Sequence, residues 1–156
     1  MSYGKTYSGK YKIKKPAKYD GDATSVTYRS MWERACFTWC ERNADVVSWS
    51  SEEIIIPYMD QSQKSNIYPQ GKPRRYFMDL RITFKNGETV LVEIKPDKQT
   101  KPPRKGKNKT RYLTESMTFI TNQCKWQAAE IYAKKRGWKF VVWTEHTLKK
   151  MGILKF

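Results

Sequence analysis

Tyr76-Phe77-Met78-Asp79-Leu80-Arg81-Ile82-Thr83-Phe84-Lys85-Asn86-Gly87-Glu88-Thr89-Val90-Leu91-Val92-Glu93-Ile94-Lys95 reads as two strands joined by a tight turn. Met78, Leu80, Ile82 and Phe84 alternate with Asp79, Arg81 and Thr83, and Val90, Val92 and Ile94 alternate with Leu91, Glu93 and Lys95. A period of two is the mark of a strand with one buried face. The two apolar rows must share that face, because a slip of one residue turns a whole row to the wrong side. This condition pairs Ile82 with Val90, Leu80 with Val92 and Met78 with Ile94, and it leaves a three-residue loop ending in Gly87. The last position of such a loop calls for positive φ, which glycine adopts at little steric cost.

The same register sets Asp79 opposite Glu93, with Lys95 two residues further along the face. Facing carboxylates destabilise a sheet and raise the pKa of one of the pair unless a cation lies between them. A hard divalent ion such as Mg²⁺ resolves the conflict, since it takes one or two carboxylates and fills its other positions with water and substrate phosphate. Lys95 is then placed to orient an attacking water and to offset charge on the phosphate. The three residues read equally as a solvated cluster in which Lys95 screens two acids, and so short a motif leaves both readings open.

Composition narrows the partner. The 156 residues make one domain's worth of chain, and 31 Lys and Arg against 15 Asp and Glu give a formal charge of +16. Such a surplus suits a polyanion. No apolar run approaches the length of a spanning helix and no signal peptide opens the chain, so nucleic acid is favoured over a membrane. Charge alone supplies affinity without chemistry and does not separate a nuclease from a packaging protein. Three cysteines without framework spacing point to a reducing compartment. Cys36 and Cys40 could join Cys124 and His146 in a zinc site, but small buried side chains on an apolar helix face explain the first two more simply. A single histidine excludes nuclease mechanisms that need two.

Around the hairpin the remaining elements can be placed. Residues 1–20 alternate Lys with Tyr and Gly and read as a basic arm that orders on DNA or a partner, with residues 21–156 as one domain. Ser30 opens a helix reaching about Asn43, with Trp32, Ala35, Cys36, Trp39 and Cys40 in one stripe. Ser30 and Glu33 have the spacing of a capping box, and Glu33 also sits at the rim of the packed face. Val46 to Trp49 is a strand, and Ile54-Ile55-Ile56 is a short strand ended by Pro57. Residues 60–74 read as a polar loop leading into Arg74 and Arg75. Residues 97–111 carry Lys98, Lys101, Arg104, Lys105, Lys107, Lys109 and Arg111 and are interrupted by Pro102 and Pro103. They read as a flexible loop that grips phosphates beside the site, or as a solvated linker. Thr114 to Arg136 is a long helix stopped by Gly137, and Lys139 to Thr144 is a last strand returning parallel through a crossover. The class is α/β, and the order fits a restriction-endonuclease-like αβββαβ core, a mixed central sheet flanked by helices.

Several stretches together carry a resemblance: Tyr28-Arg29-Ser30-x-Trp32-Glu33, Trp49-x-x-Glu52-Glu53-Ile54-x-Ile56-Pro57-Tyr58, Arg75-Tyr76-Phe77-x-Asp79, Glu93-Ile94-Lys95-Pro96-x-Lys98-Gln99-Thr100-x-Pro102-Pro103, Lys125-Trp126-x-Ala128-Ala129 and Thr144-Glu145. Over roughly residues 16–150 the chain resembles the head completion nucleases of large contractile-tailed phages, a branch of the PD-(D/E)xK nucleases. The resemblance implies a nuclease using Mg²⁺ or Mn²⁺ on double-stranded DNA or DNA ends. It would act at the portal of a filled capsid before tail joining, among portal and neck proteins, in the host cytoplasm during assembly and with retention in the virion. It implies Asp79, Glu93 and Lys95 as the metal-binding and catalytic trio, Glu33 as a helix-borne acid shared with the endonuclease subunit of some transposons, and Lys125 and Gln127 as support. Met78 stands where the family has proline before the aspartate. A structural plug at DNA and portal with a vestigial site, and a transposon-type or repair endonuclease, remain alternative readings.

Overall fold

A computed structural model describes residues 7–155. In chain order the elements are β1 (Gly9–Lys10), β2 (Thr27–Tyr28), α1 (Met31–Arg42), β3 (Val46–Ser50), β4 (Ile55–Asp60), β5 (Lys72–Phe77), β6 (Leu80–Phe84), β7 (Thr89–Ile94), α2 (Lys109–Lys135), β8 (Lys139–Trp143) and α3 (Glu145–Lys150). The central sheet runs β3-β6-β7-β8, with β8 parallel to β7 and the other pairs antiparallel. It is a mixed sheet between helices, and the chain has the restriction-endonuclease-like α/β fold.

The hairpin has the expected register, with Leu80 facing Val92 and Ile82 facing Val90. Gly87 closes the three-residue loop at φ +88°, and its N–H donates to the Phe84 carbonyl. Leu80, Ile82, Val92 and Ile94 pack with Cys36, Phe37 and Cys40 of α1 on one face. Leu91 packs with Ala129 and Ala133 of α2 on the other. Both faces of the sheet are therefore covered, which is why the second row of the hairpin is also buried at Leu91, Glu93 and Lys95.

At Met78 the expected single strand divides. The Met78 N–H donates to the Ile54 carbonyl and its own carbonyl accepts from the Glu52 N–H, so no ladder pair with Ile94 forms. The chain has crossed from β5, which pairs only with β4, to β6 in the central sheet. The crossing also turns Met78 away from Leu80 and into the α2 cluster with Ile56, Tyr58 and Tyr76. Alternation within a strand does not survive a change of sheet.

The β4–β5 hairpin corrects the reading of residues 54–74. Pro57 lies inside β4 opposite Arg75, pointing outward, where its missing N–H costs no ladder bond. The stretch read as a polar loop holds a second strand from Lys72, whose side chains are exposed except at Tyr76. Beneath it Asp60, fully buried, accepts hydrogen bonds from the Ser62 N–H and hydroxyl, from Thr121 of α2 and from Arg74. That carboxylate fastens the hairpin to α2.

Residues 9–20 are packed on the rest of the chain rather than held as a free arm. β1 pairs with β2, and the Tyr11 and Tyr19 rings meet the Trp49 ring edge-on at 6.3 and 4.8 Å. Buried Glu41 accepts from the Tyr11 hydroxyl at 2.7 Å and from the Lys14 and Lys15 N–H groups at 2.8 and 2.7 Å. Tyr19 is part of the core and Tyr11 packs against it, whereas Tyr7 is exposed. Residues 1–6 of the expected arm lie outside the described residues. The helix α2 starts at Lys109, five residues before the expected Thr114, with Asn108 capping it through the Arg111 N–H. Lys109 and Arg111 accordingly stand on the helix rather than in a loop.

Candidate active site

Asp79 occupies the sheet crossing, the one place where a side chain at the end of β6 can replace a backbone partner. Its Oδ2 accepts from the Ile94 N–H at 2.8 Å, which anchors the carboxylate against β7. Glu93 stands across from it on β7, within hydrogen-bonding reach. The Tyr76 hydroxyl donates to Glu93 Oε2 at 2.6 Å, and Lys95 Nζ lies 3.3 Å from Glu93 Oε1. The Lys95 N–H donates to the Trp143 carbonyl, so β8 fixes the lysine's backbone. Tyr76, Glu93 and Lys95 are all buried.

Burial, and then the charges of Glu93 and Glu33, push the Asp79 carboxyl well above the usual carboxylate range. The cross-strand conflict read from the sequence is thus present. Burial is also the first cause that raises Glu33, with the charges of Glu52 and Glu93 adding to it. Lys125 reaches in from α2, its Nζ 5.4 Å from the centre of the Tyr76 ring. Its pKa is lowered, by burial first and by the Lys95 and Arg74 charges, against the opposing effect of Glu93 and Asp79.

These groups line a cavity of about 910 Å³ between the sheet end, the start of α1 and the first half of α2. Glu33, Asp79, Glu93, Lys95 and Lys125 meet there, with Arg75, Lys98, Lys101 and Arg111 around them. Four of the expected phosphate-binding residues therefore border the acids. Arg74 turns to Asp60 at 3.3 Å, while Arg104, Lys105, Lys107 and Lys109 are exposed and do not line the cavity. Gln127 is exposed on α2 and is not part of the lining, because its helical position faces away from Lys125's side. Asn122, buried on the cavity wall, and Tyr76 were given no role from sequence. Tyr76 was within reach of that reading, as the inward residue of the strand preceding Asp79.

Glu33 does not form a reciprocal capping box. Its N–H donates to Ser30 Oγ, but its Oε2 accepts from the Arg29 N–H at 2.8 Å rather than from Ser30. Cys36 and Cys40 are buried core groups with thiols pushed up chiefly by burial, and His146 is exposed. Cys36 and Cys40 belong to the core on the α1 face of the sheet and Cys124 to the cluster on the α2 face, so the cysteines do not converge on one zinc ion. The donor set of the cavity nevertheless fits a hard ion. Two facing carboxylates offer oxygens alone, and Mg²⁺ is commonly held by one or two of them.

Fold and site together define a class. The TnsA-like endonuclease N-terminal family model matches residues 43–145, and the chain belongs to that family. The matched stretch holds Asp79, Glu93, Lys95 and Lys125 but not Glu33. Within the class, the chain is similar to the Head completion nuclease of Enterobacteria phage T4, 40% identical over 151 residues that cover 94% of this chain and 96% of the relative. Among the described residues no helix is long and apolar enough to cross a membrane.

Proposed function

We propose that this protein hydrolyses phosphodiester bonds in duplex DNA at the Asp79, Glu93 and Lys95 cavity, and does so on DNA ends at the portal of filled phage heads before the tail joins. The observation that carries this is the facing pair Asp79 and Glu93, with buried Lys95 3.3 Å from Glu93, inside a cavity rimmed by cations. The family match and the T4 relative's name support the activity and its place in head completion. The host cytoplasm during assembly, with retention in the virion, is the corresponding location.

Asp79 and Glu93 are the residues that would hold Mg²⁺ or Mn²⁺, with Glu33 as a third acid at the cavity wall. A bound ion of this kind supplies positive charge to the phosphate oxygens and lowers the pKa of an attacking water. The protein's own groups supply the rest. Tyr76 keeps the Glu93 carboxylate in one orientation through its short hydrogen bond. Lys95, immobilised between Glu93 and the β8 backbone, presents an ammonium where charge develops on the phosphate. Arg75, Lys98, Lys101 and Arg111 hold the flanking backbone, and the exposed Arg104, Lys105, Lys107 and Lys109 extend that positive field.

Complementation tests the biological half of the proposal. Phage carrying Lys95→Ala should yield filled heads that bind the variant yet fail to become infectious. Full infectivity would instead mean a plug that needs no cleavage.

A further inference from the structure

A second groove, about 450 Å³, lies between the amino-terminal segment and α1, outside the acidic cavity. Lys10, Lys12, Lys14, Lys15, Arg34 and Arg42 line it, and all six are exposed. Among the described residues none of the six makes a salt bridge. The groove also contains Glu41, but this carboxylate is 4% exposed and both its oxygens are engaged by Tyr11, Lys14 and Lys15. Its effect is mechanical. By gripping two consecutive backbone N–H groups and the Tyr11 hydroxyl, Glu41 holds the segment so that Tyr11 and Ile13 face the core while Lys10, Lys12 and Lys14 face outward. A charge run on a mobile tail would carry no such fixed arrangement.

The groove adjoins the acidic cavity across the first turn of α1. Arg29 and Glu33 line the cavity, and their neighbours Tyr28 and Arg34 line the groove, with the Arg34 guanidinium 5.9 Å from the Tyr28 ring centre. We propose that this groove is a second binding surface for a DNA phosphate backbone, continuing the path of the duplex that enters the acidic cavity. The path rests on the proposed function of that cavity; the phosphate contact does not.

The experiment is fluorescence anisotropy of a labelled duplex with the full chain in EDTA, across a salt series, for wild type, Lys12→Glu/Lys14→Glu, and a control pair Lys134→Glu/Lys135→Glu with the same charge change at the far end of α2. The groove pair should bind roughly tenfold or more weakly, with a log–log salt slope shallower by about 2, since each phosphate contact contributes about 0.9. The control pair should bind near wild type, and the groove pair should melt like wild type. Groove-pair binding equal to wild type, the result expected if the groove instead takes an acidic protein surface, overturns the proposal, as does equal loss in the control. Loss in the groove pair alone, from a protein that cuts no DNA when Mg²⁺ or Mn²⁺ is supplied, keeps the groove and removes the cleavage reading.

Discussion

Glu93 has a different partner on each oxygen, the Tyr76 hydroxyl on one and the Lys95 ammonium on the other. Replacing Tyr76 with Phe deletes one donor at constant shape and leaves that oxygen underbonded in a buried place. Hydrogen bonds to charged groups contribute about 1.5–3 kcal/mol, so Tyr76→Phe should lower stability by about 2 kcal/mol in urea unfolding and slow cleavage while the protein stays folded. Glu33 separates capping from chemistry. An amide oxygen can still accept from the Arg29 N–H, so Glu33→Gln should melt close to wild type, whereas Glu33→Ala should lose about 1 kcal/mol. Cleavage should fall in both, and undiminished cutting by Glu33→Gln would reduce Glu33 to a helix cap. The proximity of Asp79, Glu93 and Lys95 was legible because strand register is arithmetic in steps of two. Asn122 was not, since its place on the cavity wall depends on how α2 lies over the sheet, which the helix's own period does not state.

Two elements depend on single buried carboxylates. Burial alone would raise the Asp60 carboxyl, but hydrogen bonds from Ser62, Thr121 and Arg74 outweigh it and hold the group below the usual carboxylate range. A depressed folded pKa means the contribution is complete above the unfolded value, about 3.9, and is lost as pH falls through the folded one. Acid titration of stability should therefore fall more steeply below about pH 4 for wild type than for Asp60→Asn, with the β4–β5 hairpin detaching from α2. At Glu41, substitution by Ala strands three donors and should release residues 9–20 to limited proteolysis ahead of global unfolding. These two elements are also where sequence reading fell short. β5 hides because its outward side chains are polar and its partner is β4 alone, so no apolar row marks it. The segment 9–20 hides because Tyr11, Ile13 and Tyr19 enter the core from a chain bent at Pro16, without a sustained period. α1, β6, β7, β8 and the stop at Gly137 were legible, each from a period joined to a cap or turn residue.

At the scale of the whole molecule, a charge of +16 goes with a cavity in which Glu33, Asp79 and Glu93 crowd one another within a rim of cations. That arrangement makes binding and cutting separable: the cations on the cavity rim and beyond it set affinity, and the buried cluster sets chemistry. Plasmid cleavage by purified protein supplied with Mg²⁺ or Mn²⁺, comparing wild type with Asp79→Ala and Lys95→Ala at DNA concentrations that saturate all three, is the most direct test. Wild type should nick or linearise the plasmid and EDTA should abolish the reaction. Both variants should bind DNA but cut at least about a hundredfold more slowly, the scale seen when one electrostatic group is removed from an active site. Cutting by either variant at the wild-type rate would contradict the assignment of the site.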